Sequence, residues 1–133
     1  MKNRTTVSLR ITDLHFTPEE LTKLLGIQPT RAFKKGSKID KLSIEHKFNG
    51  WILSSGISEE ESFCDHIQSL VTIIESRIDL FTLVCNQYSS VISSSITINK
   101  EYQESLPSIH LDERAMKVFT QIGAEFDLDL YII

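Results

Sequence analysis

The sequence predicts an α+β domain with the element order β-α-β-β-α-β-α-β, a mixed sheet with its helices packed on one face, ferredoxin-like in character. Two observations carry this reading. Clean two-residue alternation marks a strand at each end of the chain, and helix start and stop signals bracket the apolar stripes between them.

Val7, Leu9 and Ile11 alternate with Thr6, Ser8 and Arg10, the pattern of a half-buried strand over 5–12. Thr17-Pro18-Glu19-Glu20 then opens a helix, with threonine as N-cap, proline in the first turn and Glu20 completing a capping box. Leu21, Leu24 and Leu25 form its apolar stripe, and Gly26 with Pro29 ends it. Candidate strands at 30–36 and 44–55 are joined by a polar turn around Ser37–Ser43. Asn49-Gly50 in the second of them is a turn or bulge signal. Ser58 with Glu61 reads as a second capping box. The stripe that follows (Phe63, Ile67, Leu70, Val71, Ile74, then Ile78, Phe81, Val84) fits one long helix, or two with a break near Ser76-Arg77. Ile92, Ile96 and Ile98 alternate with serine and threonine as a strand, and 100–110 is a polar surface connection. Asp112 caps a helix carrying Ala115, Met116, Phe119 and Ile122, which Gly123 ends. Phe126, Leu128, Leu130 and Ile132 then alternate with Asp127, Asp129 and Tyr131 in a last strand with one wet face. The expected core includes Leu24, Leu25, Phe63, Ile67, Ile96, Phe119, Leu128 and Leu130.

The 133 residues read as a single domain over 1–133, because no linker, low-complexity tract or internal repeat divides them. With 41% hydrophobic residues the chain is too apolar to be disordered. A net charge of −4 disfavours general nucleic-acid binding, which calls for a basic domain. No segment approaches the ~18 uninterrupted apolar residues of a membrane span, and the N-terminus carries no apolar secretion signal. Cys64 and Cys85 without a CxxC partner then read as reduced thiols in a cytoplasmic protein.

Several local patterns fall together. Leu9-Arg10-Ile11 precedes the proline-started helix. Leu24-Leu25-Gly26-Ile27-Gln28-Pro29-Thr30-Arg31 leads to Lys35-Gly36, and Gly50-Trp51-Ile52-Leu53-Ser54-Ser55 follows. The chain ends on Ile122-Gly123-Ala124-Glu125-Phe126-Asp127-Leu128-Asp129-Leu130-Tyr131. In this order and spacing the sequence resembles a bacterial family defined as a domain of unknown function, number four-two-seven-nine of that series. Phe33 stands where that family often has tryptophan before the Lys-Gly pair. The resemblance implies the fold and a bacterial cytoplasmic setting, and it brings no catalytic residues.

The segment from Thr30 to Gly36 holds the most suggestive chemistry. In a strand, Arg31, Phe33 and Lys35 share a face, so two cations flank an aromatic ring. Residues 31–47 carry a local charge of +4 (Asp40 and Glu45 included), whereas 101–133 sum to −5. One reading is a surface for an anion or an acidic partner. The other is that lysines guard an edge hairpin while Arg31 pairs with an acidic neighbour. Trp51 is either a stacking platform or core. Asp127-x-Asp129 places two carboxylates on one strand face, but with no third ligand in sequence no metal site is expected. The four histidines, His15, His46, His66 and His110, form no paired motif, and no G-x-S-x-G, G-x-G-x-x-G or phosphate loop is present. No catalytic group and no cofactor is therefore expected. The sequence leads to a non-catalytic domain acting through a protein partner, in an immunity-like or adaptor role, a toxin or a second copy of the chain being the candidates. The alternative is a small-molecule or anion sensor using Arg31, Lys35 and Trp51, with Phe33 between the cations. A further alternative is an enzyme whose site assembles only in three dimensions.

Overall fold

A computed structural model describes residues 2–39, 41–101 and 105–133. Its elements are β1 (Arg4–Leu14), α1 (Pro18–Leu25), β2 (Arg31–Phe33), β3 (Asn49–Ser54), α2 (Phe63–Glu75), α3 (Ile78–Cys85), β4 (Ser89–Ile98), α4 (Glu113–Ile122) and β5 (Glu125–Ile132). The five strands make one mixed sheet in the order β2-β3-β1-β4-β5. β1 lies between β3 and β4 and is antiparallel to both, β2 is antiparallel to β3, and β5 runs parallel to β4.

Period-two alternation sorts β1 into two faces. Val7, Leu9 and Ile11 join Trp51, Leu53, Ile92 and Ile96 in one buried cluster, to which all four helices contribute. Thr6, Ser8, Arg10 and Thr12 point the other way and are exposed or half-buried, so the helices form one layer and leave the opposite sheet face open.

The helix ends show why these segments coil. The Thr17 hydroxyl accepts from the Glu20 amide and the Asp112 carboxylate from the Ala115 amide. Gly26 and Gly123 end their helices at φ 70° and 76°, the left-handed region that glycine enters without strain. α2 starts later than Ser58 and Glu61 suggest. Its N-cap is Ser62, which accepts from the Asp65 amide, while Ser58 and Glu61 close a turn ahead of it. That start keeps Glu59 to Glu61 in water and sets Phe63, Ile67, Leu70, Val71 and Ile74 on the buried face. The helical run breaks at Ser76 and Arg77, where Arg77 leaves helical geometry at φ −140° and ψ 40°.

Three core expectations are corrected. Leu24 is 44% exposed, because Leu21 and Leu25 one turn apart fill the short contact α1 makes. Leu130 is 53% exposed: it lies on the covered face of the sheet, on an edge strand, past the reach of the helices. Leu128 is half-buried, so its loss is expected to cost less than the roughly 2–5 kcal/mol of a fully buried leucine. The bulge also sits elsewhere. It is in β1 at Asp13, which has φ 60° and is the extra residue between the pairs Thr12–Gly50 and Leu14–Asn49.

Candidate functional site

The open face of the sheet is built by register. Arg31 on β2 pairs with Ile52 on β3, Ile52 with Arg10 on β1, and Arg10 with Val91 on β4. Directly paired residues share a face, so two arginines flank one isoleucine. Ile52 is only 8% exposed on a face that no helix covers. It is flanked on β1 and β2 by arginines, whose aliphatic stems suit apolar surface while the guanidinium stays in water. Neither guanidinium has an ion pair or a hydrogen bond among the described residues.

The next row supplies aromatic chemistry. Phe33 pairs with Gly50, and a Cβ on Gly50 would lie 2.1 Å from the Phe33 ring, so glycine is required for the ring to lie flat on the sheet. His46 stacks on the outer side of that ring, with centroids 4.2 Å apart and planes 16° apart, and Phe48 flanks it at 6.0 Å. The stacking depends on how the β2–β3 connection folds back. Gly36 and Ser37 exchange backbone hydrogen bonds with His46. The Asn49 side chain accepts from the Lys35 amide and donates to the Phe16 carbonyl at 3.1 Å, tying the connection to the end of β1.

Between these walls lies a hollow of about 390 Å³, with Thr12, Val91 and Ser93 along its floor and Asp127 at its far rim. Its volume is within the range of small-ligand sites. Among the described residues its charges are unspent: the guanidinium groups of Arg31 on β2 and Arg10 on the central β1, and the Asp127 carboxylate on β5. A larger hollow of about 570 Å³ lies between α1 and β2, walled by Pro18, Pro29 and Ala32. Its Glu19 is already paired with Lys34 at 3.0 Å, and no set of free charges converges there.

The residues singled out from sequence divide. Arg31 and Phe33 line the hollow. Lys35 does not: β2 ends at Phe33, and Lys35 lies in the following turn beside Ser43 and Ile44. Trp51 is not a platform either. It is fully buried on the helix side against Phe81, and its indole N–H donates to the Thr22 hydroxyl at 3.0 Å. Arg31 has no acidic partner, which removes its proposed structural pairing among the described residues; Asp40 lies outside them. Arg10, His46, Phe48 and the placement of Asp127 were not singled out as site residues. The sequence signals are Arg10, a cation at a wet position of the alternating 5–12 segment, and Asp127, one of two carboxylates on a strand face; nothing local marks His46 or Phe48.

Residues 3–133 match the family model described as Domain of unknown function (DUF4279). The chain belongs to this family. No curated protein and no solved structure matches it.

Other reactive groups of the DUF4279 domain lie away from this hollow. The Ser55 hydroxyl and His66 Nδ1 lie 2.5 Å apart, but both residues are buried, at 4% and 1% exposure, and line no hollow described above. Cys85 is buried beneath β4 and its thiol is pushed up to about 11 by desolvation, so it stays protonated and inert. No group of three or more His, Cys, Asp or Glu side chains among the described residues is placed to hold a metal. No helix among them is long and apolar enough to cross a membrane.

Burial holds the His66 imidazole below the usual histidine range, while the Ser58 carbonyl and the Asp65, Glu61 and Glu59 carboxylates act the other way. Below about pH 6.5 the unfolded imidazole takes up a proton that the folded one refuses. Its contribution is therefore complete above about pH 6.5 and is lost as pH falls toward the lower folded value. Denaturant unfolding of His66→Asn at several pH values is expected to give a shallower acid loss of stability than the wild type. Equal slopes in the two proteins would contradict this.

Proposed function

We propose that this DUF4279 domain is a non-catalytic binding module whose open sheet face captures a small anionic ligand. The observation that carries the reading is the pair of arginines, Arg10 and Arg31, unpartnered among the described residues, on either side of Ile52 beside the Phe33–His46 stack. Guanidinium is suited to carboxylate and phosphate because its planar fork donates two parallel hydrogen bonds. The stacked rings suit a ligand with a flat apolar body next to its anionic group. The concavity supports the small-molecule or anion reading over a protein partner, since its size suits a small ligand. Four strands in the order β2-β3-β1-β4, with β1 antiparallel to both neighbours, support a ferredoxin-like reading extended by α4 and β5. The two free cysteines support a reducing cytoplasmic setting.

Phenyl phosphate, an anion on a flat ring, is the probe. Titration calorimetry is expected to show Arg31→Lys binding it about tenfold more weakly, near 1.4 kcal/mol, although the charge is kept. Lys35→Arg should leave affinity unchanged. Thermal stability of Arg31→Lys should match the wild type, because Arg31 is exposed and, among the described residues, unpaired. Rising salt should weaken binding, since exposed charges are screened beyond about 8–10 Å near physiological ionic strength. Lost stability with unaltered affinity would overturn the reading.

A further inference from the structure

β5 is the outer strand of the sheet, paired with β4 on one side and with no strand on the other among the described residues. Its helix-facing positions are Phe126, Leu128, Leu130 and Ile132. Phe126 packs edge-on against Phe63 and Leu128 reaches the core. Leu130 and Ile132 do not, and are 53% and 68% exposed, with Tyr131 and Ile133 beside them at 53% and 50%. The core-like alternation thus runs on past the point where the helices cover it. Edge strands are ordinarily guarded by charge, proline or a bulge. Glu125, Asp127 and Asp129 guard the first half of β5, and no such device guards 130–133.

We propose that two copies of this chain pair through β5, antiparallel across a two-fold axis, so that their sheets become continuous. The register follows from charge and from the length of strand that is paired. With Leu130 opposite Leu130 of the other copy, Leu128 meets Ile132, Asp129 meets Tyr131 and Asp127 meets Ile133. No side-chain carboxylate then lies directly across from another, Leu130 is covered by its own copy and Ile132 by Leu128. Placing Asp129 on the axis sets it against itself, and placing Leu128 there sets Asp127 against Asp129. Both alternatives put like charges directly across the strands, which is destabilising, and placing Tyr131 there avoids this but pairs only residues 129–133 in place of 127–133. The proposal does not rest on the anion site, which opens on the sheet face and shares only Asp127, at its rim, with this strand.

Light scattering on the full chain at about 100 μM, with dilution to follow dissociation, tests it. A mass of twice 15.2 kDa is expected. Leu130→Lys and Leu130→Glu each put like charges on the axis and should each run as a monomer, with circular dichroism unchanged because the site is exposed. Mixed in equal amounts, the two variants should re-form a dimer, since lysine then faces glutamate. A monomeric wild type overturns the proposal. So does a dimer that both variants leave intact, and so does a mixture that stays monomeric.

Discussion

Replacing Trp51 with alanine is expected to destabilise the domain by about 3–5 kcal/mol, the range for removing a large buried aromatic. The ring is fully buried, packs against Phe81 at 6.3 Å between centroids and donates its N–H to Thr22, so its loss opens a cavity and orphans part of the α1–β3 contact. Trp51→Phe should cost much less, since it keeps most of the packing and forfeits one hydrogen bond of roughly 1 kcal/mol. Denaturant unfolding measures both. A Trp51→Ala protein of near wild-type stability would mean that the ring faces solvent and that the sheet faces are assigned the wrong way round.

The second large effect joins fold to site. Gly50→Ala should destabilise by about 1–3 kcal/mol, the cost of overpacking, because the new Cβ collides with the Phe33 ring. Gly50 has no positive φ, so its backbone does not itself demand glycine. In a Phe33→Ala background the collision is gone. Alanine is then favoured over glycine within a strand by roughly 0.5–1 kcal/mol, so the sign should reverse. A double-mutant cycle on stability measures the coupling. Equal costs in both backgrounds would show that Phe33 does not lie on Gly50, and the His46 stack would lose its support.

The contrast between legible and illegible features is physical. The Thr17-Pro18, Asp112 and Gly26 signals were readable because caps are local, depending on residues three or four apart. The faces of β1 are readable because alternation fixes which side chains share a side. Leu24, Leu130 and Lys35 were misread for a different reason. A pattern shows which residues can be buried together but not where the covering layer stops. Leu130 lies past that limit on an edge strand, Leu24 lies to one side of a two-leucine contact, and Lys35 lies beyond the end of a three-residue strand. The site itself is a product of register. Arg10 and Arg31 are 21 positions apart and meet only because both pair with Ile52, and no local signal in the sequence specifies that pairing. His46 and Phe48 reach the site through a hairpin whose return path depends on hydrogen bonds from Gly36, Ser37 and Asn49.

The most direct test of the binding face is an amide-resolved NMR titration of the wild-type chain with phenyl phosphate. The account predicts saturable shifts concentrated at Arg10, Thr12, Arg31, Phe33 and His46, and their loss when Arg10 and Arg31 are both replaced by lysine. Shifts spread over Lys38, Lys41 and Lys47 and unaffected by that double replacement would contradict it, as would no shifts at all.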